Sequence, residues 1–120
     1  MTCIQKLMNF QNELRLHHWG TQSFAAHEAL GKAYVTLDDL MDTFVETYVG
    51  VYGRNDIKNI TSLELNGPFK VGISTVLDSF EDYLKTEITK EIKSDQTALL
   101  NIRDEMLGLI QKTKYLLTLT

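Results

Sequence analysis

The chain has 120 residues, 43% of them hydrophobic and 23% charged, an ordinary make-up for a globular domain that excludes disorder and low-complexity states. Twelve basic against sixteen acidic side chains give a net charge of −4, and Lys and Arg are scattered singly, so nucleic acid is a poor partner. One cysteine, Cys3, rules out a disulfide framework or a cysteine-based zinc site; no apolar run is long enough for a membrane span, and no signal-peptide pattern opens the chain, so a cytoplasmic protein is expected.

Apolar residues recur at helical spacing over most of the length. The pattern predicts a first helix over residues 4–19, with Ile4, Leu7, Met8, Gln11, Leu14 and His18 on one stripe. Gly20 to Ser23 reads as a break, with Ser23 placed to cap a second helix over 24–50. That helix carries Leu30, Tyr34, Leu37, Met41, Phe44, Val45 and Tyr48 on one face. Residues 54–68, closing on Asn66-Gly67-Pro68, read as a loop or crossover too long for a hairpin turn, with room for a short extra turn. A third helix over 70–93 has Val76, Leu77, Phe80, Tyr83, Leu84, Ile88 and Ile92 in phase. Ser94-Asp95 is expected to break it and cap the fourth, 95–117, whose stripe is Leu99, Ile102, Met106, Leu109, Ile110, Leu116 and Leu117, followed by a frayed tail to Thr120. Four amphipathic helices in residues 1–120 make an all-α four-helix bundle, with one long crossover between helices 2 and 3, the economical fold.

Chemistry-bearing residues concentrate in the first half. All three histidines, His17, His18 and His27, fall within eleven positions, with Glu28, Asp38, Asp39, Asp42 and Glu46 following. Imidazole together with carboxylate suits iron, zinc or manganese better than calcium or magnesium. On a helix, Asp38, Asp42 and Glu46 project roughly 20°, 60° and 100° from His27, on a shoulder beside the apolar stripe. Asp42 and Glu46 are one turn apart and can share an ion. His27 and Asp42 are roughly 22 Å apart along a straight helix, and metal–ligand bonds are about 2 Å, so those two cannot share one within a subunit. A metal reading therefore requires two copies of the helix packed antiparallel about a two-fold axis. Val35 and Val49 share that shoulder, and burying acids and a histidine unpaired is costly, so at least a homodimer through the second helix is expected. His17 reads as a surface or boundary residue and Trp19 as a packing residue at the bundle end; Cys3 is assigned no role. No nucleophile–base–orienter triad is legible.

The stretch Leu16-His17-His18-Trp19 through His27, Asp42 and Glu46 resembles the ferroxidase signature of the Dps branch of the ferritin superfamily, over roughly the first fifty residues. That signature has His-Trp at the end of helix 1, then a His, fourteen intervening residues, Asp, three more and Glu. His27, Asp42 and Glu46 match it in type and spacing, whereas the segment from His18 to His27 is three residues shorter. A lysine-rich N-terminal tail is missing, and Thr47-Tyr48 replaces the Arg-containing end that often follows the Glu. The chain also resembles small Dps-like proteins of bacteriophages. The resemblance implies a ferritin-like bundle and a site across a two-fold dimer, with His18 and His27 from one subunit and Asp42 and Glu46 from the other. It further implies iron there, or zinc or manganese in its place, with Fe(II) oxidation or sequestration and storage in a hollow shell.

The same patch supports a reading from another class. A non-catalytic viral oligomer could sequester a nucleotide-type signalling ligand in inter-subunit pockets, with Arg15, His17, Trp19, Tyr48 and Arg54 as stacking faces and phosphate donors. The compartment would then be the host cytoplasm.

Overall fold

A computed structural model describes residues 2–119; Met1 and Thr120, the last residue of the expected frayed tail, lie outside the described residues. Helix α1 spans Cys3–Gly20, opened by the Thr2 hydroxyl, which accepts the Gln5 N–H at 3.2 Å. Helix α2 spans Phe24–Tyr52, and Ser23 caps it as expected, its hydroxyl accepting the Ala26 N–H at 3.2 Å. Gly53 ends α2 at φ +86°, a conformation that glycine adopts without steric cost. A one-turn helix α3, Asn55–Lys58, opens the crossover. Helix α4, Ile73–Asp82, continues through a π turn, Tyr83–Glu87, and a 3-10 turn, Ile88–Lys90. Helix α5 covers Thr97–Leu116. Among the described residues there is no strand, so the chain is all-helical.

Two helix starts differ by two or more residues from the sequence pattern, and the third helix ends at Lys90 rather than at residue 93. The third helix begins at Ile73 rather than residue 70, because Pro68 to Lys70 form a turn. The fourth begins at Thr97 with Gln96 at its N-cap and no side-chain cap bond, so Ser94 and Asp95 lie in the preceding turn and cap nothing.

Packing follows the stripes. Helices α1 and α5 each rest on both α2 and α4. Leu7, Leu14, Leu30, Leu37, Phe44, Leu77, Phe80, Leu84, Ile88, Leu99, Met106 and Ile110 are fully buried. Phe10 stacks on Phe80 with centroids 4.5 Å apart and planes 7° from parallel, joining α1 to α4. Lys114 joins α5 to α4 through Asp78 at 2.6 Å and Glu81 at 3.1 Å.

Residues 59–72 contain neither helix nor strand, yet they are tied down. Gln5 Nε2 donates to the Ser62 carbonyl at 2.6 Å, the Glu64 N–H donates to Asn9 Oδ1 at 3.0 Å, and the Asn66 N–H donates to Glu13 Oε1. The His17 ring lies against the Val71 backbone, and Pro68 packs on Gly20, where a Cβ would meet its Cγ at 2.7 Å. Residues four apart on α1 thus hold successive points of one segment, which runs along α1 from its N-terminal to its C-terminal end. This strap starts where α2 ends and delivers the chain to the start of α4. The helices therefore run up (α1), down (α2), down (α4) and up (α5), with the strap returning the chain between the middle two.

The core generates two expected outcomes. Phe80→Ala removes a fully buried ring and its stacking partner's support, and should cost about 3–5 kcal/mol in denaturant unfolding. Cys3 is fully buried, and burial, with the Glu91 charge adding to it, pushes its thiol up to about 12. At pH 8 only about one thiol in ten thousand would then be thiolate. Iodoacetamide should label the folded chain about 1,000-fold more slowly than the chain in guanidinium; comparable rates would show that the N-terminus is not packed.

Candidate histidine centre

The end of α1 and the start of α2 bring two histidines face to face. The rings of His18 and His27 stack with centroids 3.8 Å apart and planes 15° from parallel. Each ring bonds the other residue's backbone: His18 Nδ1 lies 2.6 Å from the His27 carbonyl oxygen, and His27 Nδ1 lies 2.9 Å from that of His18. A carbonyl only accepts, so both Nδ1 atoms carry the proton and donate. In the neutral rings both Nε2 atoms then carry lone pairs, the tautomer in which a histidine ligates a metal while its other nitrogen is held in place. Because the planes are nearly parallel, the two in-plane lone pairs do not converge on one point. The pair offers two separate ligand atoms.

Neighbours complete the centre. Tyr34 meets His18 edge-on at 5.3 Å, and the Arg15 guanidinium sits over the Tyr34 ring at 4.9 Å. Phe24, largely exposed, lies 6.4 Å from His27. An open cleft of about 430 Å³ runs beside them, lined by His18, His27, Glu28, Lys32, Tyr34 and Val35 among others. Gly31 makes the arrangement fit: a Cβ there would come within 2.8 Å of His18 Cε1 and 3.1 Å of its Nδ1.

The carboxylates expected beside these histidines lie further along α2. Asp42 and Glu46 are on the same unbroken helix as His27, and Asp38 accepts from Gln11 Nε2 at 2.7 Å. Asp38 and Asp42 border a second groove of about 440 Å³ with Ile4, Met8, Met41, Val45 and Ile57. Among the described residues no three His, Cys, Asp or Glu side chains gather to hold an ion.

The residues of the ligand reading are dispersed. Arg15 stands at the histidine centre, but Tyr48 is buried near the other end of α2, its hydroxyl donating to Asp56 Oδ2 at 2.7 Å. Arg54 is exposed just beyond α2. Trp19, expected to pack at the bundle end, is 65% exposed, because the chain turns away at Thr21 and leaves the indole uncovered. His17, expected at the surface or boundary, is buried beneath the strap. Consecutive residues on a helix point about 100° apart, so His18 faces α2 while His17 faces Val71. Burial holds the His17 pKa below the ordinary imidazole value, although the nearby Glu13 charge pulls the other way. Gly31 escaped the sequence pattern; its one visible signal was a glycine inside a helix, where it costs stability unless close packing needs it.

Comparison with known proteins gives a family. A model described as a family of unknown function (DUF5856) matches residues 18–117, most of the chain, and the chain belongs to that family. It is also similar to an uncharacterised 14.6 kDa protein from the mobD-ri intergenic region of Enterobacteria phage T4, 28% identical over 113 residues, covering 94% of this chain and 83% of the phage protein. No solved structure matches. The likeness to the Dps branch of ferritins thus rests on the residues quoted for it alone.

The fit of His18 against Gly31 makes a test. Gly31→Ala gains about 1 kcal/mol of helix propensity but overpacks the site by about 1–3 kcal/mol, so stability should fall by no more than about 2 kcal/mol. The imidazole resonances of His18 and His27 should shift strongly as the stack breaks. Unchanged resonances would show that the stack does not depend on Gly31.

Proposed function

We propose that this DUF5856 member is a homo-oligomeric, ferritin-like metal-binding protein that takes up Fe(II) at a two-fold interface formed by α2. The observation that carries the reading is the hydrogen-bonded histidine pair, which presents two Nε2 lone pairs beside the α2 shoulder. In an antiparallel α2–α2 contact, Asp42 and Glu46 of the partner supply the carboxylates, and Val35, 55% exposed, supplies apolar area. The up–down–down–up order with a single full-length crossover supports the ferritin-like part, since that is the connectivity of such bundles. Iron is the cargo here. Neutral imidazole suits Fe(II), and carboxylate stabilises the Fe(III) that oxidation leaves. With hydrogen peroxide as oxidant, each of two Fe(II) ions gives up one electron, and the peroxide takes up two protons and leaves as water. The similarity to a phage protein makes the host cytoplasm the compartment that this reading calls for.

A second reading is favoured by one observation, the Arg15 guanidinium over Tyr34 beside the histidine cleft, with Lys32 on the cleft wall. Such a site stacks a planar ring and pairs a phosphate, as a nucleotide-type ligand requires.

Light scattering and iron loading decide between them. The expected outcome is a dimer or larger at micromolar concentration, with ferric absorbance that His18→Ala/His27→Ala or Asp42→Ala/Glu46→Ala abolishes. A clean monomer, with and without metal, would sink the shared site. A thermal-shift response to nucleotides without iron uptake would favour the second reading.

A further inference from the structure

Beneath the strap, two buried side-chain atoms of α1 lack partners among the described residues. Glu13 and His17 are only 4% and 6% exposed, and Glu13 Oε2 and His17 Nε2 are both shut off from solvent with no hydrogen bond. Glu13 Oε1 is committed to the strap, where it accepts the Asn66 N–H, and the His17 ring lies against Val71. Nε2 is the ring atom without a partner, and in the tautomer protonated at Nδ1 it carries a lone pair. The carboxylate offers only lone pairs as well. In that tautomer, beside an ionised carboxylate, neither group can satisfy the other, and two buried acceptors without a donor are costly. Side chains at i and i+4 on a helix lie about 5–6 Å apart at Cβ, the relation by which paired helical side chains grip a transition metal. There is room on both sides. A cavity of about 170 Å³ is lined by Glu13, Asn9, Glu64 and Asn66 among others, and one of about 210 Å³ by His17, Gly20, Pro68 and Gly72 among others.

We propose that Glu13 and His17 bind one divalent transition-metal ion of the zinc class, which locks the strap onto α1. An imidazole nitrogen with a carboxylate oxygen is a donor set for such an ion, whereas calcium and magnesium prefer oxygen throughout. One cation satisfies both orphaned lone pairs at once. Glu64, on the wall of the Glu13 cavity, adds a second negative charge nearby. Among the described residues no third ligating side chain completes a cluster, so water fills the remaining positions. The site shares no residue with the His18–His27 centre and does not need a dimer.

The test uses the full chain with Co(II) and Zn(II) as probes, in the His18→Ala/His27→Ala background that removes the other imidazoles. The expected result is one equivalent of Co(II) with visible d–d absorption, displaced by Zn(II), and an unfolding midpoint raised by Zn(II). Adding Glu13→Gln or His17→Gln should weaken Zn(II) binding at least about ten-fold. If metal binding disappears in the background variant alone, this site is overturned and the histidine centre stands. Should the Glu13 or His17 variants fail to fold, zinc-edge anomalous diffraction from the unaltered protein decides. A peak between Glu13 Oε2 and His17 Nε2 supports the site; a bridging water or no density there overturns it.

Discussion

The polar ladder on α1 is the interaction on which the rest of the structure depends. Gln5, Asn9 and Glu13 are spaced by four, and they engage Ser62, Glu64 and Asn66, spaced by two. Four helical residues advance roughly 6 Å, and two extended residues roughly 6.6 Å, so the repeats run in step for several rungs. A segment without secondary structure of its own has backbone groups to satisfy, and these side chains satisfy several of them. The cost is that α1 buries Asn9, Gln11, Glu13 and His17, four polar residues on a helix whose other stripe is core.

The anchored strap also sets the course of α4. It carries the chain the length of α1, so α4 starts beside the end of α1 and runs down the bundle. That direction sets Phe80 against Phe10 and brings the π turn to the N-terminal end of α1, where Cys3, Tyr48, Tyr83 and Glu91 meet. Both tyrosines have raised pKa values, with burial the chief cause. At this end Tyr83 and Glu91 border a cavity of about 500 Å³ with Lys6 and Lys90 among others, and the histidine pair at the other end faces its own open cleft.

Two adjacent histidines illustrate how little in the chain separates a buried position from one beside an open cleft. His17 and His18 are neighbours in the chain, yet one goes under the strap and the other stacks on α2. Nothing in the dipeptide distinguishes them. The difference comes from which elements lie on each side of α1, and from Gly31, whose missing side chain leaves the space that the His18 ring occupies. The short break between α1 and α2 lets the two backbones approach closely enough for each ring to bond the opposite carbonyl.

The helices themselves were legible in the chain, because apolar residues at helical spacing can be buried only along one stripe. Val76, Leu77, Phe80, Tyr83, Leu84, Ile88 and Ile92 read as one face and are all buried, even though a π turn interrupts the helix between them. Ser23 was legible as a cap because capping is a local hydrogen bond. The start of α5 was not: Ser94 and Asp95 are good cap residues, but the turn needed them one step too early. His17, expected at the surface or boundary, is covered by a segment some fifty residues away that carries no periodic signal, and Trp19, expected to pack, is exposed where the chain turns away at Thr21. Local chemistry determined which segments are helical, which faces are apolar and where imidazole and carboxylate concentrate. Only the tertiary structure decided which histidine points to α2, which polar residues of α1 hold the strap and which buried atoms are left without a partner. Those outcomes depend on contacts between segments distant in the chain, whose geometry no local pattern encodes.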